Sequence, residues 1–63
     1  MKYAVTKDGK EIYIGKGQGE DSRNDCNMWM YDAGLLMEAE TGAFYAPGYD
    51  VQPAQEVKHA AIG

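Results

Sequence analysis

The sequence predicts an α+β fold. An N-terminal β-hairpin at about residues 2–15 and a short second hairpin at about 43–52 pack on one central α-helix at about 23–41. Three observations carry this expectation. Asp8-Gly9 lies between two alternating apolar runs, Ser22 to Gly42 has helical periodicity, and Pro47-Gly48 divides two short aromatic segments. A chain of 63 residues makes a single domain. At this size folding buries only about 60% of the unfolded surface, so the core is marginal without a staple or a partner.

The first hairpin follows from its turn. Asp-Gly favours a two-residue turn with positive φ at both positions. Counting outward pairs Lys7 with Lys10, Thr6 with Glu11, Val5 with Ile12, Ala4 with Tyr13 and Tyr3 with Ile14. That register gathers Tyr3, Val5, Ile12 and Ile14 on one face, which a one-residue slip would scatter. A hairpin alone is not stable, so this face needs an apolar stripe against it.

Gly15-Lys16-Gly17-Gln18-Gly19-Glu20 follows the hairpin. Glycine-rich loops before a helix can cradle phosphate with backbone amides. Here the pattern departs from that use, because glutamate stands where a dinucleotide fingerprint has glycine, and no Gly-Lys-Ser or Gly-Lys-Thr end exists. The segment reads as a connector.

The helix signals begin at Ser22, with Asp25 three residues on as a variant capping box. They end at Gly42, able to close a helix in the left-handed conformation. A wheel of about 100° per residue puts Cys26, Trp29, Met30, Ala33, Leu36 and Met37 on one stripe, the period of a core-facing helix. Met28, Tyr31, Leu35 and Ala39 form a second stripe on nearly the opposite side. Gly34 costs about 1 kcal/mol relative to alanine inside a helix, so it marks either a close backbone approach or a kink. A single sheet covers one stripe only. The second is covered by the C-terminal third through Phe44, Tyr45, Tyr49 or Val57, by a second copy, or by a different protein.

Pro47-Gly48 has the type II turn signature, with short strands expected at Ala43 to Ala46 and Tyr49 to Gln52. From Pro53 onward the chain reads as a short helix with proline at its first position, or as a frayed tail.

The charge balance is −4. Residues 1–19 carry Lys2, Lys7, Lys10 and Lys16 against Asp8 and Glu11, net +2, whereas residues 20–40 carry six carboxylates against Arg23, net −5. The helix region is thus both acidic and apolar. Such a surface suits a larger protein with a basic face, and it disfavours free nucleic acid, whose phosphates need lysine and arginine.

Catalysis, metals and cofactors find no support. Cys26 falls in the core stripe, and neither it nor His59 has a second ligand at usable spacing. Asp25 and Asp32 stand two turns apart on an open face, too far to share a proton. No apolar run reaches signal-peptide or membrane-spanning length, so a cytoplasmic protein without membrane attachment is expected.

The leading functional expectation is a small acidic binding module, an inhibitor or adaptor that meets a larger protein through Asp25, Met28, Tyr31, Asp32, Leu35 and Glu38. Imitation of nucleic acid charge is a special case. The alternatives are a structural homodimer through the same helix face, with Gly34 at the crossing, and a nucleic-acid or nucleotide binder using the hairpin lysines with Tyr13.

Overall fold

A computed structural model describes residues 1–55. The elements run β1 (Tyr3–Lys7), β2 (Lys10–Ile14), α1 (Glu20–Asp32), β3 (Leu36–Ala39), β4 (Gly42–Tyr45) and β5 (Tyr49–Pro53). They form an antiparallel three-stranded sheet in the order β2-β1-β5 and a separate two-stranded sheet of β3 and β4. The α+β class is as expected, but several boundaries differ.

The first turn forms as its residues dictate, with φ of 53° at Asp8 and 86° at Gly9. Lys7 meets Lys10 and Thr6 meets Glu11. Beyond that point the expected register fails. Val5 pairs with Tyr13 and Ala4 with Ile14, leaving Ile12 as the extra residue of a β-bulge. The bulge brings Tyr13 onto the helix side, where its ring stacks on Trp29 with centroids 5.0 Å apart and planes 14° from parallel. Ile12 and Ile14, expected in the core, are instead 45% and 43% exposed.

The connector brings the helix start close to the sheet. Gly15 is buried, and a side chain there would collide: a Cβ would overlap the Ser22 carbonyl oxygen and lie 2.8 Å from Cys26 Sγ. Ser22 is not the N-cap. Helix α1 begins at Glu20 after Gly19, and Ser22 is fully buried one turn in. Its hydroxyl accepts from the Tyr3 amide at 2.8 Å and donates to the Gly15 carbonyl at 2.9 Å, tying the helix to β1 and to the start of the connector.

The helix stops at Asp32, about nine residues before the expected end. Gly34 takes φ 77°. Its amide donates to the Tyr31 carbonyl at 3.0 Å, and the Leu35 amide to the Met30 carbonyl at 2.8 Å. These are the two bonds of a Schellman motif, and they satisfy carbonyls that the helix end would otherwise leave unpaired. Leu35 then packs against the core beside Met30, the apolar contact that accompanies this cap. Among the described residues no atom outside its immediate neighbours lies within 4 Å of where a Gly34 Cβ would be, so of the two readings of this glycine the close backbone approach is not seen.

Leu36 to Ala39, expected on the helix, is therefore a strand. It pairs with β4 across a two-residue loop, with Leu36 opposite Tyr45 and Met37 opposite Phe44. The second hairpin spans residues 36–45 rather than 43–52. The Pro47-Gly48 turn does form, with the Tyr49 amide bonded to the Ala46 carbonyl at 3.0 Å and φ 87° at Gly48. Its arms part into different sheets: β4 stays with β3, and β5 joins β1, Val51 opposite Val5. Pro53 closes β5 opposite Tyr3 instead of opening a helix. Proline is tolerated on such an edge strand. The remainder of the expected short helix or frayed tail, residues 56–63, lies outside the described residues.

Val5, Cys26 and Met30 form the fully buried centre, ringed by half-buried Tyr3, Tyr13, Trp29, Leu35, Leu36, Tyr45, Tyr49 and Val51. The first stripe is thus assigned correctly at Cys26, Trp29 and Met30. Ala33 is the C-cap, and Leu36 and Met37 belong to β3.

Candidate functional site

Two surfaces of α1 have different fates. The inward one carries Ser22, Cys26 and Met30. On the outward one Met28 is 64% and Tyr31 65% exposed. Hairpin β3–β4 adds a second apolar exposure, because only Leu36 and Tyr45 at its base reach the core. Its cross-strand pair Met37 and Phe44 is 42% and 49% exposed.

Helix and hairpin are joined by one well-placed bond. The Tyr45 hydroxyl donates to Asn27 Oδ1 at 2.6 Å. Burial, with the Asp50 carboxylate second, pushes the Tyr45 pKa up, so the phenol stays protonated as the bond requires. Beside this junction lies a groove of about 430 Å³ lined by Asn27, Leu36, Ala43, Phe44 and Tyr45. Tyr31 stands one helical turn beyond Asn27 on the same side of α1.

The electrostatics are one-sided. From Asn24 to Gln55 the chain has five carboxylates, Asp25, Asp32, Glu38, Glu40 and Asp50, and no lysine, arginine or histidine. Asp32, Glu38 and Glu40 are exposed around the helix end and the hairpin.

The residues expected to act together are divided by this arrangement. Met28, Tyr31 and Asp32 share the exposed end of α1. Leu35 lies half-buried under the helix cap, and Glu38 projects from β3, so neither belongs to a helix face. Asp25 has internal partners: it accepts from the Tyr13 hydroxyl and from the Lys16 amide at 2.9 Å. Those two bonds hold its carboxyl below the ordinary range, and the bond to Asp25 pushes the Tyr13 phenol up to about 12. Met37 and Phe44 were not among the expected site residues. Their signal was the polar Glu40-Thr41-Gly42 break between two short apolar runs, Leu35 to Met37 and Ala43 to Ala46, which the apparent helical period masked.

At the lysine-bearing end two of the four lysines have partners. Lys2 Nζ donates to the carbonyls of Gly15 and Gly17 at 3.3 and 2.9 Å, and Lys7 pairs with Asp8 at 3.2 Å beneath the Tyr49 ring. The connector therefore turns carbonyls toward a cation, and its Lys16 amide already holds a carboxylate. This is the reverse of an anion cradle.

Cys26 is buried, and burial raises its pKa, which keeps the thiol protonated and weakly nucleophilic. Among the described residues no three His, Cys, Asp or Glu side chains converge as metal ligands, and no helix is long and apolar enough to cross a membrane. Comparison with protein-family models, curated proteins and solved structures gave no match.

Proposed function

We propose that this protein is a small non-enzymatic binding module of the cytoplasm, an inhibitor or adaptor, that presents the outward end of α1 and hairpin β3–β4 to a larger protein with a basic surface. The observation that supports it is the coincidence of Met28, Tyr31, Met37 and Phe44, all exposed, with a 24–55 segment devoid of cations. Met37 and Phe44 are cross-strand neighbours, and exposed apolar side chains that adjoin mark interaction sites more often than scattered ones do. The carboxylates would steer a basic partner and the apolar groups would supply affinity.

Two copies meeting through this surface would face Asp32, Glu38 and Glu40 with the same three carboxylates and no cation to offset them. The commitment of Lys2 and Lys7 likewise weighs against nucleic acid on the hairpin.

The test is capture from lysate of the source organism on immobilised protein, at low salt and at about 1 M salt, where the screening length is roughly 3 Å. Tyr31→Glu and Phe44→Glu serve as comparisons, each checked for folding by circular dichroism. The expected result is a partner held by the wild type, weakened by salt and lost with either substitution. Equal retention by both variants would remove this surface from the function.

A further inference from the structure

Among the described residues the two sheets present four outer strand edges, and three of them are guarded. On β2 stand Lys10, Glu11 and the bulge at Ile12; β5 carries Asp50 and Pro53; β3 carries Glu38. Charges, proline and bulges are the devices that stop an edge strand from pairing with another chain. The fourth edge, β4, reads Gly42-Ala43-Phe44-Tyr45 and has none of them.

Its polarity can be derived from the ladder. The Ala46 amide donates to the Leu35 carbonyl at 2.8 Å, so Leu35 and Ala46 are a hydrogen-bonded pair. Bonded and non-bonded pairs alternate in an antiparallel ladder. With Leu36 opposite Tyr45 and Met37 opposite Phe44, the backbone groups of Phe44 and Gly42 turn toward β3, and those of Ala43 and Tyr45 turn outward. Among the described residues no strand pairs with that outward side. The groove lined by Asn27, Leu36, Ala43, Phe44 and Tyr45 lies against the same strand.

We infer that an extended basic segment of the partner adds to the β4 edge as a third strand, seating an apolar side chain in the groove. Main-chain bonds to Ala43 and Tyr45 supply affinity, and side chains at alternate positions supply selectivity, as in other cases of strand addition. Lysine or arginine flanking the apolar anchor answers Glu38, which shares the groove-side face with Leu36, Ala43 and Tyr45 by strand alternation. Charge favours this occupant over a second copy, because β4 has no cation with which to answer the other copy's Glu38. The inference rests on the binding-module reading and specifies the chemistry of its partner.

The experiment selects peptides from a phage-displayed library of random linear decapeptides against the full chain, then titrates the best one by nuclear magnetic resonance. Ala43→Pro removes one outward amide and none of the bonds to β3. The expected outcome is a peptide with alternating apolar residues and lysine or arginine, slowed exchange at the Ala43 and Tyr45 amides, and binding about tenfold weaker in Ala43→Pro. Methylating alternate peptide nitrogens should weaken binding as much. Undiminished binding by Ala43→Pro or by the methylated peptide overturns the inference, as does a β4-mediated dimer in sedimentation of the free protein. If Ala43→Pro keeps the lysate partner while Tyr31→Glu loses it, strand addition falls and the binding-module reading stands; if the wild type captures nothing, that reading falls too.

Discussion

The Tyr13 hydroxyl donates to the Asp25 carboxylate across the gap between β2 and α1. The bond favours a protonated phenol and an ionised carboxylate together, so it opposes titration at both ends of the pH scale. Asp25 has a lowered pKa in the fold, and its contribution is present above the ordinary carboxylate value of about 4 and lost as pH falls through the lowered one. Tyr13 is raised from 10.0 to about 12, and its contribution is present below 10 and lost as pH rises toward 12. Urea unfolding followed against pH should show Asp25→Asn flattening the acid limb and Tyr13→Phe shallowing the alkaline limb. Unchanged slopes in both variants would mean that the bond is absent in solution.

Gly34→Ala discriminates between two helix lengths by sign. In a helix continuing past residue 34 the substitution would stabilise by about 1 kcal/mol. In the left-handed cap seen here, φ 77°, it should destabilise by about 1 kcal/mol. A chemical denaturation midpoint that rises would contradict the stop at Asp32.

Gly15 and Ser22 form the tightest join. Gly15→Ala is expected to cost about 3 kcal/mol, through the overlap of a Cβ with the Ser22 carbonyl and without any change in backbone preference. Ser22→Ala should cost about 2 kcal/mol, because the Tyr3 amide and the Gly15 carbonyl lose a buried partner. Calorimetry that found either variant as stable as the wild type would be incompatible with this packing.

The β-bulge makes neighbouring residues unequal. Ile12→Thr should change stability by no more than about 0.5 kcal/mol, since the side chain is largely at the surface. Tyr13→Ala should lose about 2 kcal/mol with the Trp29 stack and should alter tryptophan fluorescence. Equal effects at the two positions would point to an unbulged ladder.

What could be read from the residues was local. Asp8-Gly9 and Pro47-Gly48 each dictate a turn through conformations that few residue pairs tolerate, and both turns form where expected. The Cys26, Trp29 and Met30 spacing likewise marks the buried side of α1. What failed depended on competition between distant groups. Tyr13 displaces Ile12 from the helix side because a Trp29 stack and an Asp25 bond outweigh a regular ladder. Leu35 to Met37 continue a helical period by coincidence, and Gly34 overrides it through two cap bonds. The second apolar stripe of the sequence was itself the sign of an overlong helix: Met28 and Tyr31 are truly outward, whereas Leu35 turns to the core and Ala39 ends a strand. Asp32 and Glu38 were therefore legible as exposed acids but not as members of two different elements.

The central place of β1 sets the timing of folding during synthesis. Hairpin β1–β2 and hairpin β3–β4 each pair residues that are close in sequence, though neither is stable until it packs on α1. Tyr3 meets Pro53 and Val5 meets Val51 only after every intervening element has emerged from the ribosome. Such distant pairings form slowly, because loop closure comes before the contacts that reward it. A nascent chain that has not yet produced β5 therefore carries an open β1 edge next to Val5. The step that seals the core is also the last to become possible.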